Sequence, residues 1–301
     1  MKTKYNTITI GIPAYNEQVN LARLLMAIIK QKTTGVRRIE SVIVFSDGSD
    51  DKTVSEAKSV VDKRIKVVVG STRKGKNARL NEIFRKVTTD ILVTLDSDIV
   101  LEGEYVIDSM AKAFKKVENP GLIAGNAQPL AAKTIFEEAS NNFVESLNFI
   151  KNAIRKGQNI YSVRGPILAY AKSFLIQYSL PLDVPDDRYS YFLCKRLGYG
   201  FYFESTAKVY FRSPKTFTDQ IKQCKRFRYD RIMLGNYIDQ KELEDAYFVP
   251  MSLKVQAMFL QLFKNPMAYL AMKVIQIFDH ISTEKVKTKT WDIAHSTKSF
   301  L

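Results

Sequence analysis

The chain has 301 residues, 46% of them hydrophobic and 26% charged, which excludes wholesale disorder and leaves room for one large domain or two small ones. Two cysteines and two histidines exclude a disulfide framework and a Cys-rich zinc site, and they disfavour a His-based metal site or a Ser-His-Asp triad. With 46 basic residues against 31 acidic ones the net charge is +15, which favours an anionic partner: nucleic acid, anionic lipid or a phosphorylated small molecule.

From the amino end, Met1-Lys2-Thr3-Lys4 precedes a short apolar stretch broken by Pro13, so no export signal is expected. Residues 7–12 read as a strand, and Asn16-Glu17 opens a helical pattern with Leu21, Leu24, Leu25, Ile28 and Ile29 on one face. Residues 41–45, 65–69 and 91–95 are further β-branched runs, separated by helical spacing near residues 54–61 and 77–86. Strands alternating with amphipathic helices predict an α/β fold with a mostly parallel central sheet flanked by helices. After Ala132 the alternation fades. Residues 134–153 read as one long helix, 160–163 and 167–171 as strands around Arg164-Gly165-Pro166, and 200–203 and 207–211 as a strand pair. Between Lys208 and Arg231, eight basic residues face only Asp219 and Asp230. Residues 251–278 are the most apolar region, but Lys254, Lys264 and Lys273 interrupt it and no spanning helix is expected. Two amphipathic helices joined at Asn265-Pro266 fit it better. These expectations divide the chain into a catalytic domain, residues 1–235, and a C-terminal helical segment, residues 236–301.

In a parallel sheet the ligand site lies outside the carboxyl ends of the strands. Four segments fall there: Pro13-Ala14-Tyr15-Asn16-Glu17, Ser46-Asp47-Gly48-Ser49-Asp50, the loop 70–76, and Asp96-Ser97-Asp98. Two carboxylates two residues apart repel unless a cation lies between them, and a hard divalent ion shared with substrate phosphates, Mg²⁺ or Mn²⁺, suits them. Helix capping by Asp96 or Asp98 is the alternative. Gly70-Ser71-Thr72-Arg73-Lys74-Gly75-Lys76-Asn77 spells a phosphate-binding P-loop up to its last position, where Asn77 replaces the Ser or Thr that would hold Mg²⁺. Lys74, Lys76 and Arg79 could still face a nucleotide diphosphate, or form a solvated basic turn.

Taken in order, Ile12-Pro13-Ala14-Tyr15-Asn16-Glu17, Ser46-Asp47-Gly48-Ser49-Asp50-Asp51-Lys52-Thr53, Gly75-Lys76-Asn77-Ala78-Arg79-Leu80-Asn81 and Leu95-Asp96-Ser97-Asp98 resemble the signatures of family 2 glycosyltransferases with the GT-A fold. Val184-Pro185-Asp186-Asp187 resembles the Glu-Asp pair of that family, which would make Asp187 the catalytic base, although either aspartate could instead cap the helix that follows. Gln223-Cys224-Lys225-Arg226-Phe227 resembles the Gln-x-x-Arg-Trp motif of the cellulose, chitin and hyaluronan synthase branch, with Phe227 in place of Trp. The resemblance implies a metal-dependent, inverting glycosyltransferase that moves a sugar from a nucleotide-sugar donor, UDP-linked in most of the family, to an acceptor hydroxyl by single displacement. It implies donor contacts from Pro13, Ala14, Tyr15, Glu17, Asp47, Lys76, Asp96, Gln223 and Arg226, and a metal ligand in Asp98. The expected acceptor is a glycan or lipid-linked molecule.

Two rival functions follow from the residues alone. A P-loop-like nucleotide hydrolase has Asn77 against it, and a basic nucleic-acid-binding protein rests on charge alone; no nucleic-acid partner is expected. The C-terminal helices either pack on the rest of the protein or a second subunit, or lie in a membrane interface with lysines on anionic lipid. The expected location is the cytoplasm, with peripheral contact to the inner face of the cell membrane.

Overall fold

Short β-branched runs bounded by small and acidic residues become strands because they can be buried on both faces, and the polar ends then collect at the sheet edge. The computed structural model describes residues 5–281 and 295–298. Residues 1–4, read above for an export signal, lie outside the described residues, as do 282–294 and 299–301 of the C-terminal segment.

The first ninety-five residues alternate as expected. They form β1 (Thr7–Ala14), α1 (Leu21–Ile29), β2 (Arg38–Asp47), α2 (Thr53–Ser59), β3 (Ile65–Gly70), α3 (Lys76–Phe84) and β4 (Ile91–Leu95). Next come β5 (Ile99–Leu101), α4 (Val106–Ala113), β6 (Pro120–Pro129) and α5 (Ile135–Ala153). Then follow β7 (Ile167–Ala171), α6 (Lys172–Leu175), α7 (Asp186–Arg196) and β8 (Gly200–Phe211). The described part closes with α8 (Phe217–Leu234), α9 (Gln240–Ala246), α10 (Met251–Lys264) and α11 (Pro266–Ile281).

The strands make one sheet in the order β3-β2-β1-β4-β7-β6-β8-β5. β3, β2, β1 and β4 run parallel, so Ala14, Asp47, Gly70 and Leu95 end at one edge. β7 pairs antiparallel with β4, Leu95 opposite Ile167, and antiparallel with β6. The reversal matters: an antiparallel strand brings its amino end to the edge where the parallel strands finish. The Arg164-Gly165-Pro166 turn therefore arrives beside Asp96, whose N–H donates to the Pro166 carbonyl at 3.1 Å.

Ile8, Ile10 and Ile12 of β1 and all of β4 are buried, and α1 turns Leu21, Leu24, Leu25 and Ile28 inward. Each such side chain contributes roughly 1.5–3 kcal/mol on leaving water. Two aspartates absent from the sequence reading anchor this layer. The Asp90 carboxylate accepts from the N–H groups of Asn6 and Thr7 and from the Thr7 hydroxyl, pinning the start of β1 to that of β4. Asp108 is fully buried and is paired by Arg37, Lys112 and Thr34.

Two expectations are corrected. Residues 160–163 do not form a strand: Ile160–Ser162 is a 3-10 turn, because Asn159 Oδ1 accepts from Tyr161 N–H and the Ser162 hydroxyl bonds Gly157 O, satisfying the chain locally. The strand pair at 200–211 is one continuous strand. The polar Glu204-Ser205-Thr206 interrupts nothing, since Lys116 and Thr206 satisfy the Glu204 carboxylate within the sheet.

The chain forms two compact units, Met1–Ala127 with Val163–Tyr210, and Gln128–Ser162 with Phe211–Leu301. In the second, Thr134 and Glu137 form a reciprocal capping box at the start of α5, and Glu137 also pairs with buried Arg212 at 3.0 Å. The break at Asn265-Pro266 separates α10 from α11 as expected. Both helices pack on α5: Met272 and Ile275 of α11 meet Ala139, Phe136 and Phe143, and Ala257 of α10 joins Ile150 and Val249. Among the described residues no helix is long and apolar enough to cross a membrane.

Candidate active site at the carboxyl edge of the parallel strands

The loops after β1 and β2 lock together. The Asn16 side chain donates to Asp50 Oδ1 at 2.6 Å and accepts from Asp50 N–H, and Glu17 N–H donates to the Thr53 hydroxyl at 2.6 Å. Pro13 and Ala14 are buried at the strand end, paired with Phe45 and Ser46. Glu17 is 5% exposed; its carboxylate accepts from the Asn20 amide and its carbonyl takes the first N–H groups entering α1. Tyr15, partly exposed, carries the Arg73 guanidinium 4.3 Å from its ring centre.

Asp47 ends β2 and is 4% exposed. Its carboxylate accepts from Lys74 N–H, Gly75 N–H and Arg79 Nε, at 2.8, 2.8 and 2.6 Å. It therefore shapes the basic loop from within. Gly48 beside it has φ +67°, and a Cβ there would lie 2.6 Å from the Thr72 carbonyl carbon, so this loop crossing admits only glycine. Arg79 is buried against Asp47, Glu82 and the Phe45 ring. This corrects the expectation that Arg79 faces a diphosphate: its charge is consumed inside the fold.

Lys76, at the first position of α3, reaches the other way. Its ammonium lies 2.8 Å from Asp96 Oδ1 and 3.2 Å from Asp186 Oδ2. Burial opposes that charge, but Asp186 and Asp96 outweigh it and hold the ammonium above the usual lysine range. Asp186 is pushed up to about 6, by burial first; Lys76 opposes the rise, and Asp187 and Asp96 reinforce it. Gly165 borders this cluster: a Cβ on it would stand 3.2 Å from the Lys76 ammonium. The Gly165 N–H donates to Asp187 Oδ2 at 3.1 Å. Asp187 also accepts from Arg188 N–H, and the half-buried Arg164 guanidinium nearby is held down to about 10 by desolvation and by Arg188, with Asp187 acting against both. Neither aspartate is the N-cap of α7, which is Pro185; both lie in its first turn, where the helix dipole favours carboxylates and Asp187 takes the Arg188 N–H.

What holds Asp186 in reach of Lys76 is a pair of asparagines. The Asn77 amide donates to the Pro181 and Val184 carbonyls, both at 2.7 Å, and Asn81 exchanges hydrogen bonds with the Leu180 backbone. The position that fails the P-loop pattern is thus a strap for the 180–184 segment. Its only sequence signal is that mismatch.

Asp98 is half-buried just before β5; burial holds the Arg23 guanidinium below its usual range, and the Asp98 charge, followed by that of Glu17, opposes that effect. Among the described residues no group of three or more His, Cys, Asp or Glu could hold a metal by itself. The donor set here is carboxylate oxygen, one or two residues deep, and that is how Mg²⁺-type ions bind when substrate phosphates and water complete the shell. Gln223 and Arg226, half-buried, lie on α8 in the second unit, where the Arg226 guanidinium is 5.5 Å from the Phe227 ring centre. The structure thus brings Lys76 and Asp96 together with Asp186 and Asp187, and gives Asp47 and Glu17 internal partners.

The profile of the family described as "Glycosyl transferase family 2" matches residues 9–178. Among curated relatives, an undecaprenyl-phosphate 4-deoxy-4-formamido-L-arabinose transferase of Pseudomonas fluorescens is 31% identical over 132 residues, covering 42% of this chain and 38% of the relative. One of the same name from Klebsiella pneumoniae is 26% identical over 142 residues, covering 46% and 42%. The chain spans about four tenths of the length of these relatives. Among solved structures, a mannosyltransferase from Pyrobaculum calidifontis in complex with GDP-Man and Mn²⁺ is similar with a TM-score of 0.58 and 18% identity, over 92% of this chain and 76% of that one.

Proposed function

Since the chain belongs to glycosyl transferase family 2, we propose that the edge cluster of Lys76, Asp96, Gly165, Asp186 and Asp187 is the reaction centre of a metal-dependent, inverting transfer from a nucleotide-sugar donor. The observation that carries this reading is the convergence itself: the Asp96 and Asp186 carboxylates meet the Lys76 ammonium where four parallel strands end, with Asp187 alongside on the Gly165 N–H. The loop Pro13-Ala14-Tyr15-Asn16-Glu17, shaped with Asp47, forms the nucleotide side, and Asp96, oriented by Lys76, contacts the donor. A divalent ion, Mg²⁺ or Mn²⁺, held by Asp98 would stabilise the charge that develops on the diphosphate leaving group.

Asp187 receives the acceptor proton. Its carboxylate is oriented by the Gly165 N–H, while Asp186 is committed to Lys76. As the acceptor oxygen bonds to the anomeric carbon, the bond from that carbon to the diphosphate oxygen breaks on the opposite face, so the configuration inverts. The nucleotide diphosphate leaves with the bonding electrons. The names of the relatives carry undecaprenyl-phosphate, which supports a lipid-linked acceptor. The reaction would then run at the inner face of the cell membrane, on a peripherally held protein.

Asp187→Asn tests the assignment and separates two acceptors. A hydroxyl must lose its proton in the step, so its transfer should fall 10²-fold or more (order of magnitude) with donor affinity kept. A phosphate oxygen is already largely ionised near neutral pH, its second pKa being about 6, and should lose little. Unchanged transfer to every hydroxyl acceptor would remove Asp187 from the role of base.

A further inference from the structure

The C-terminal helices carry apolar side chains on both their inward and outward faces. On α11, Ala268, Met272 and Ile275 face inward, whereas Met267, Leu270, Val274, Ile277 and Ile281 are exposed. The exposed set recurs every three or four residues, which is one continuous face of a helix. On α10 the inward position is Ala257, and Met251, Val255, Met258, Phe259 and Phe263 are outward, Phe263 being 79% exposed. Ala257 and Ala268 let the helices approach α5 closely and Met272 and Ile275 fill the contact, while a further set of large apolar side chains is left in contact with water. Scattered apolar residues need no explanation on a protein surface, but a face that runs along two successive helices does.

Charge decides what covers it. α8, α10 and α11 together carry eight basic residues against three acidic ones, in a chain of net charge +15. One of the three acids, Asp279, is already paired with Arg228 at 3.1 Å. α10 has Lys254, exposed, and Lys264, which is paired with Glu145 of α5, and no acid of its own, and Lys273 is exposed on α11. A second copy of the chain would oppose cations to cations across the apolar contact. An anionic bilayer satisfies both halves of the surface, accepting apolar side chains between the headgroups and lysines on the phosphates.

We propose that the outward face of α10 and α11 is a docking surface for an anionic lipid bilayer, which it enters to interfacial depth without crossing. The surface stands independently of the chemistry assigned to Asp187 or Asp98, so its failure leaves the glycosyltransferase reading intact. The test is flotation of the full chain with phosphatidylcholine vesicles, with and without phosphatidylglycerol. Binding is expected with phosphatidylglycerol present, and it should weaken as salt is raised. Leu270→Glu with Ile277→Glu, both on the outward face, should abolish flotation while leaving the circular dichroism and melting temperature unchanged. Lys254→Glu with Lys273→Glu should lower vesicle affinity about tenfold or more. Flotation that is equal with neutral vesicles, or that survives Leu270→Glu with Ile277→Glu, overturns the proposal. So does failure to float accompanied by a dimer in light scattering that those glutamates dissociate, which would assign the face to a second copy.

Discussion

Asn77 illustrates how one side chain can serve the site without touching substrate. Its amide bridges two carbonyls that lie 104 and 107 residues further along the chain. Asn77→Ala leaves both carbonyls without that donor and should cost about 1–3 kcal/mol in urea unfolding, the usual range for a buried hydrogen-bonding group deprived of its partner. Transfer should fall more than donor binding, because the strap positions Asp186 and Asp187. Asp186 makes a second, pH-dependent prediction. An unfolded aspartate loses its proton near 3.8, whereas the folded one holds it to about 6. Between those values the folded state binds the extra proton, so the Asp186 contribution to stability is full below about pH 4 and is lost as pH rises towards 6. Asp90 and Asp108, both held below the ordinary range despite burial, act in the opposite sense. The diagnostic is therefore a difference: relative to Asp186→Asn, the wild type should lose on the order of 2 kcal/mol between pH 4 and pH 6.5 in chemical denaturation.

At the level of elements, the two faces of α11 can be separated by substitution. Met272 is buried against Ala139 and Ile275, while Met267 five residues earlier is exposed. Met272→Ala should destabilise by about 2–5 kcal/mol, and Met267→Ala should stay within about 0.5 kcal/mol of wild type in the same unfolding experiment. Similar losses at both positions would mean that α11 packs with its other face inward. The helix pair, its break at Asn265-Pro266 and the single long helix α5 were all readable from spacing and from Pro266. Which face of the pair turns inward was not, because both faces are apolar and periodicity cannot rank two hydrophobic stripes. The strands β5 and β6 also escaped the pattern. β5 is three residues long, and β6 begins at Pro120-Gly121, which reads as a turn.

At the scale of the whole molecule, binding and folding are linked through ligand occupancy. If Asp98 holds the ion that joins donor diphosphate to protein, Mn²⁺ and a nucleotide sugar together should raise the melting temperature more than either alone. At about 100 times the dissociation constant the gain is about 2.7 kcal/mol. Asp98→Ala should abolish the synergy while leaving the unliganded melting temperature near that of the wild type. Synergy retained in the variant would move the metal to other carboxylates. The +15 charge acts at this scale too: it raises the local concentration of any anionic ligand, in a salt-dependent way, and does not by itself choose among them.

The sequence by itself determined the alternation of β1 to β4 and the clustering of acidic and small residues at their carboxyl ends, and from four ordered motifs, the family. These are local properties, since helical and strand periodicity and turn chemistry act over a few residues. Only the tertiary structure decided which groups meet. The antiparallel pairing of β7 carried Gly165 to the edge, the register of that edge set Asp96 beside Lys76, and the Asn77 strap drew Asp186 at the start of α7 onto the same ammonium. It also turned Arg79, indistinguishable from Lys76 as a loop cation, into a buried partner of Asp47. A charge on a loop can pair with any opposite charge within about 4 Å, and which one lies there depends on strand order and helix packing that no short window of sequence contains.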